Sequence, residues 1–78
     1  MDGQTKIIAQ VIQERRMQDR QWGGADHDDT HTYADWMDYI HHQFSLLDLR
    51  VGGNARERFI KVAALAVAAA EMIDRKAN

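Results

Sequence analysis

The stretch Lys61-Val-Ala-Ala-Leu-Ala-Val-Ala-Ala-Ala-Glu-Met-Ile73 decides the fold. From Val62 to Ala70 no side chain is polar, and neither Gly nor Pro interrupts the run. Alanine and leucine are strong helix formers because they lose little side-chain freedom in a helix. Upstream, Asn54 followed by Glu57 has the spacing of a capping box, in which each side chain satisfies a backbone N–H near the helix start. The pattern predicts one helix over residues 55–75. A helix that is apolar on every side must be covered on every side. Two short companions cannot wrap it, so copies of the chain are expected to shield one another through this helix.

The flanking sequence supplies those companions. Gly52 and Gly53 mark the end of a preceding helix, predicted over 33–49 and opened by Thr32 with Asp35 three residues on. Within it Tyr33, Met37, Ile40, Phe44 and Leu47 share one face with Trp36 beside them, while Asp35, Asp38 and His42 point away. A first helix is predicted over 4–20, where Ile7, Ile8, Val11 and Ile12 recur at helical spacing. After Ile12 that stripe gives way to Glu14-Arg15-Arg16-Met17-Gln18-Asp19-Arg20, in which Arg15 and Asp19 lie four apart and support the helix. Gly23 and Gly24 stop it. Trp22 is expected to anchor the following polar loop on the core, since an exposed indole wastes much apolar area. The sum is an all-α chain: one domain, 1–78, folded as a three-helix antiparallel bundle and oligomeric through its Ala-rich third helix.

Composition limits what such a chain does. At 78 residues a domain buries roughly 60% of its unfolded surface and is marginal by itself. Without cysteine it has no disulfide brace and no thiolate site, which fits a reducing cytoplasm, so self-association is the expected extra source of stability. Met1-Asp-Gly-Gln-Thr-Lys6 lacks the apolar core of a signal peptide. The Val62–Ala70 run is too short to span a bilayer, so no membrane partner is expected. A formal net charge of -2 gives no general pull toward a nucleic acid polymer.

Three clusters carry candidate chemistry. Arg15, Arg16, Arg56, Arg58 and Lys61 are candidate phosphate ligands, because a guanidinium matches two phosphate oxygens at once. Trp22, Tyr33 and Trp36 offer faces for stacking a base. The dense polar run His27-Asp28-Asp29-Thr30-His31 mixes carboxylates and imidazoles. Its Asp28 and Asp29, joined by Glu71 and Asp74 of the third helix, have the donor type for Mg2+ against a pyrophosphate. The alternative for these groups is structural: Asp28 and Asp29 paired with Arg15 or Arg16, and Glu71 paired with Arg75 one turn on. His41 and His42 have no partner at a catalytic spacing. Gly-rich phosphate loops and nucleophile elbows are absent.

Taken in order, Glu14-Arg15-Arg16-x-Gln18, Trp22-Gly23-Gly24, His27-Asp28-Asp29-x-His31-Thr32, Asp35-Trp36 and the Lys61–Glu71 run resemble a family of small proteins encoded by tailed bacteriophages and prophages. Some phage proteins with a similar opening are grouped loosely with MazG-like nucleotide pyrophosphohydrolases, which are all-α, oligomeric and magnesium-dependent. Their hallmark is Glu-Glu-x-x-Glu on one helix and Glu-x-x-Asp on another. Glu71-x-x-Asp74 matches the second half; the first is missing, since Glu14 is followed by Arg15 and Arg16. The resemblance implies an accessory protein that counters host defence. The expectation is a non-catalytic binder of a nucleotide-type anion that needs no cofactor. Arg15, Arg16 and Arg58 would meet phosphates, Trp22 or Trp36 would stack, and His27, Asp29 or His31 would bind polar edges. The alternatives are a magnesium-dependent pyrophosphohydrolase using Asp28, Asp29, Glu71 and Asp74, and a protein–protein inhibitor of a host factor.

Overall fold

A computed structural model describes residues 2–24, 30–46 and 54–77, the Trp22 side chain excepted. Three helices account for most of them: α1 (Gly3–Trp22), α2 (Tyr33–Ser45) and α3 (Ala55–Ala77). The chain is an all-α helical bundle, and among the described residues there is no strand. The predicted Gly52–Gly53 turn, residues 47–49 of the second helix, and His27, Asp28 and Asp29 lie outside the described residues.

Local chemistry explains the helix ends. Asp2 opens α1 by accepting the Thr5 N–H at 2.8 Å, so the helix begins at Gly3, one residue before the expected start. Gly23 closes α1 at φ 96°, and its N–H donates to the Asp19 carbonyl. That left-handed conformation costs a side-chain-bearing residue energy that glycine avoids. Thr32 and Asp35 form the reciprocal capping box at the head of α2, with bonds of 2.9 and 3.2 Å. Asn54, at the entry to α3, donates its side-chain amide to the Leu46 carbonyl at 2.6 Å, tying the head of α3 to the tail of α2.

α3 is the spine. α1 and α2 both pack on it, yet no Cα of α1 comes within 8 Å of a Cα of α2. Cross-helix bonds give the directions. Arg56 bonds to Gln10, Lys61 to Glu14 and Arg15 to Glu71, so α1 runs in the same sense as α3. Arg58 meets Gln43 and Met72 meets Trp36, so α2 runs opposite. Among the described residues the core is small: Trp36 of α2 on Ala68 and Met72 of α3, with Leu65 and Ala69 beside them and Ala64 buried one turn earlier on α3. Alanines at 64 and 68 let the helices approach closely, and Trp36 fills the remaining space.

Two faces differ from expectation. On α2 the buried residue is Trp36, while Tyr33, Met37 and Phe44 are exposed. The indole has the largest apolar area on the helix, and its N–H finds the Met72 sulfur at 3.2 Å, so the helix turns to bury it. On α1 the buried residue among those described is Arg15, while Ile7, Ile8 and Ile12 remain exposed. Polar bonds from Gln10, Glu14 and Arg15 to α3 set the roll of that helix, and Ile8 and Ile12 border an outer groove with Val67.

Candidate ligand cleft

Because α1 and α2 stand apart on α3, a cleft of about 520 Å³ opens between them. Its floor is Leu65 and Ala68 of α3 with Lys61 at one end. The α1 wall carries Glu14, Arg15, Gln18 and Gln21, and the α2 wall carries Trp36, Tyr39, His42 and Gln43, with His31 just ahead of that helix.

Each wall is braced. On the α1 side Arg15 is 8% exposed and enclosed by acceptors. Its Nε donates to Glu71 Oε1 at 3.2 Å, one terminal nitrogen reaches Asp19 Oδ1 at 3.1 Å, and the other reaches Gln18 Oε1 at 3.5 Å. A buried guanidinium needs such neutralisation, since taking an unpaired charge from water costs several kcal/mol or more. The i,i+4 pair with Asp19 was legible in the sequence; the pair with Glu71 was not. Beside it Lys61 Nζ donates to Glu14 Oε1 at 2.9 Å, both groups partly shielded.

On the α2 side three rings lock together. His31, 8% exposed, sets its ring edge-on to Trp36 at 5.1 Å and to Tyr39 at 5.2 Å, and Trp36 meets Tyr39 at 6.1 Å. His31 Nε2 and the Tyr39 hydroxyl share a hydrogen bond of 3.1 Å, and the His31 carbonyl accepts from Lys76 Nζ at 3.4 Å. Edge-to-face packing of this kind adds roughly 0.5–1.5 kcal/mol per pair beyond area burial. At the head of α2 the Asp35 carboxyl is held below the ordinary range, first by the Thr32 backbone N–H.

Of the sequence-predicted ligand residues, Arg15, His31 and Trp36 come together at the cleft. Arg15 is committed to Glu71, Asp19 and Gln18, and Trp36 to the core, so both shape the cleft walls. Arg16 instead borders the outer groove with Ile8, Ile12 and Val67. Arg58, half-buried, holds Gln43 at 3.0 Å from behind the α2 wall. Glu71, expected beside Arg75 on its own helix, pairs with Arg15 across the helices. Asp74 is exposed, and among the described residues no group of three His, Cys, Asp or Glu stands close enough to hold a metal. The sequence reading passed over Tyr39, Gln18, Gln21 and Gln43. Tyr39 had a signal, standing three residues after Trp36 on the same helix face; the glutamines had none. No described helix is long and apolar enough to cross a membrane. No family model matches the chain, and no curated protein or solved structure matches it.

Proposed function

We propose that the chain is a self-associating, non-catalytic binding protein whose α1–α2 cleft takes a nucleotide-type anionic ligand. The observation that carries this reading is the convergence of Lys61, His42, Tyr39 and three glutamines on one cleft whose volume falls within the roughly 300–1,000 Å³ typical of small-molecule sites. Gln21 offers a paired donor and acceptor for a base edge, while Gln18 and Gln43, their oxygens held by Arg15 and Arg58, offer their amide N–H groups. Tyr39, partly exposed, offers a face for a base. Lys61 is the cation for the phosphate, which competes with Glu14 for its ammonium. Glu14 and Glu71 are each engaged by a cation, which supports binding over hydrolysis. Arg15 and Arg58 are positioning residues in this reading. Self-association through α3 is supported by the outward face of that helix, where Phe59 and Ile73 are exposed. In the phage setting that the resemblance implies, such a binder sequesters a nucleotide signal of host defence.

Isothermal titration with linear and cyclic mononucleotides, their nucleosides and inorganic phosphate tests this. Binding of a nucleotide that weakens at least tenfold in Lys61→Met and Tyr39→Leu, with helicity retained, is expected. Absence of binding across the panel overturns it. Conversion of the nucleotide in the presence of Mg2+ would instead favour the pyrophosphohydrolase reading.

A further inference from the structure

The outward face of α3 has a pattern that defines how two copies meet. Phe59, Val62, Ala66, Ala70, Ile73 and Ala77 recur at intervals of three and four residues, directly opposite the buried Ala64, Ala68 and Met72. Phe59, whose ring also meets Phe44 of α2 edge-on, is 54% and Ile73 44% exposed, and Ala66, Ala70 and Ala77 are exposed between and beyond them. The face is apolar over about 27 Å of helix, with one bulky residue toward each end and small residues at its middle. An exposed apolar surface of that length marks an interaction site.

Charge selects the occupant and its direction. Arg56 and Asp74 are separated by five full helical turns, so both lie along the same edge of the apolar face, one at each end. Arg56 is exposed and bonded to the neutral amide of Gln10, so its charge is not cancelled there. Asp74 is exposed and makes no ion pair among the described residues. We propose that a second copy docks its α3 antiparallel on this face across a two-fold axis at Ala66, with Arg56 set against the partner's Asp74 twice over. This inference rests on the reading of α3 as the self-association surface and assigns its geometry.

In the antiparallel arrangement Phe59 lies against Ile73 of the partner subunit and Val62 against Ala70 of the partner subunit. Ala66 meets its own copy, where small side chains let backbones approach to about 8 Å. The edge carrying Arg56 faces the same edge of the other helix with its ends exchanged, so opposite charges meet. A parallel arrangement sets the basic first turns of both helices side by side, stacks Phe59 on its own copy, and aligns the two helix dipoles unfavourably.

The chain has no cysteine, so single-cysteine variants read the direction cleanly. Sedimentation first establishes association of the unmodified chain. Under mild oxidation Ala66→Cys is expected to cross-link readily, because only positions at the axis meet their own copies within disulfide reach. Phe59→Cys is expected not to cross-link to itself, its two copies being about 21 Å apart, but to cross-link with Ile73→Cys when the two are mixed. Arg56→Asp and Asp74→Arg are each expected to weaken association on the order of fivefold, and the double exchange to restore it. Circular dichroism confirms that each surface variant is folded. Self-linking of Phe59→Cys as fast as Ala66→Cys overturns the antiparallel direction and leaves self-association standing. Association with no cross-link at either position overturns this face as the interface. A monomer at all concentrations overturns both the geometry and the self-association reading.

Discussion

The two seams of α3 are built from opposite materials. Toward α2 the contact is mainly aromatic and apolar: Trp36 on Ala68 and Met72, Phe44 edge-on to Phe59 at 6.3 Å, and His31 and Tyr39 completing the ring cluster, with Arg58 to Gln43 as a polar bond beside them. Toward α1 the named bonds are polar: Gln10 to Arg56, Glu14 to Lys61, Arg15 to Glu71. Apolar burial is non-directional and gains with every Å² removed from water. Ion pairs fix geometry but spend much of their attraction on desolvation. The difference teaches that α2 supplies most of the cohesion of the bundle, while α1 is aligned by charge and sets the shape of the cleft.

The strongest way to break the contrast is at Trp36. Trp36→Ala should cost about 3–5 kcal/mol, a large share of the roughly 5–15 kcal/mol by which small domains are stable. A urea midpoint reads it, and the unfolding of the whole chain is the expected outcome. Next, Glu71→Ala leaves the buried Arg15 guanidinium with Asp19 and Gln18, and should cost about 1–2 kcal/mol, reduced because Glu71 is nearly half exposed. Replacing both partners, Arg15→Met with Glu71→Leu, should recover most of that loss, because an apolar pair avoids the desolvation penalty. Loss on the pair replacement as large as on Glu71→Ala would show that the α1 seam depends on charge for cohesion as well as alignment.

Salt sharpens the comparison without mutation. At about 1 M salt the screening length falls to about 3 Å, so amide exchange in α1 should rise by severalfold while α2 stays protected. Equal change in both helices would erase the distinction between the seams. The smaller effects sit at the head of α2. Thr32→Ala should cost about 1 kcal/mol through loss of the cap. Asp35 has its folded pKa below the ordinary 3.8, so the stability it contributes is present above pH 3.8 and is lost as pH falls through the lower folded value. Asp35→Asn should therefore flatten the acid limb of the stability curve, measured by thermal melts stepped down in pH.

The parts of the fold that short-range chemistry controls were legible in the residues. Thr32 with Asp35, Gly23 after Trp22, and the uninterrupted run from Val62 to Ala70 each act within a few positions, and each element stands where they put it. The roll of the helices was not legible. Four apolar residues at helical spacing made Ile7–Ile12 read as the inner face of α1, but Glu14 and Arg15 found partners 47 and 56 residues away, and those bonds turned the isoleucines outward. On α2 the count of apolar residues favoured Tyr33, Met37 and Phe44, and the single indole outweighed them. The cleft was half visible for the same reason: His31, Trp36 and Arg15 are conspicuous residue types, whereas Gln18, Gln21 and Gln43 gain meaning from facing one another across a gap that no local pattern encodes.

That gap has a mechanical consequence. With α1 and α2 both moored to α3 and their backbones apart, the described helices pass force between the two walls through α3. A molecule lodged between them would act as a keystone, adding a direct strut across the opening, and the frame would stiffen on loading although no helix changed its length.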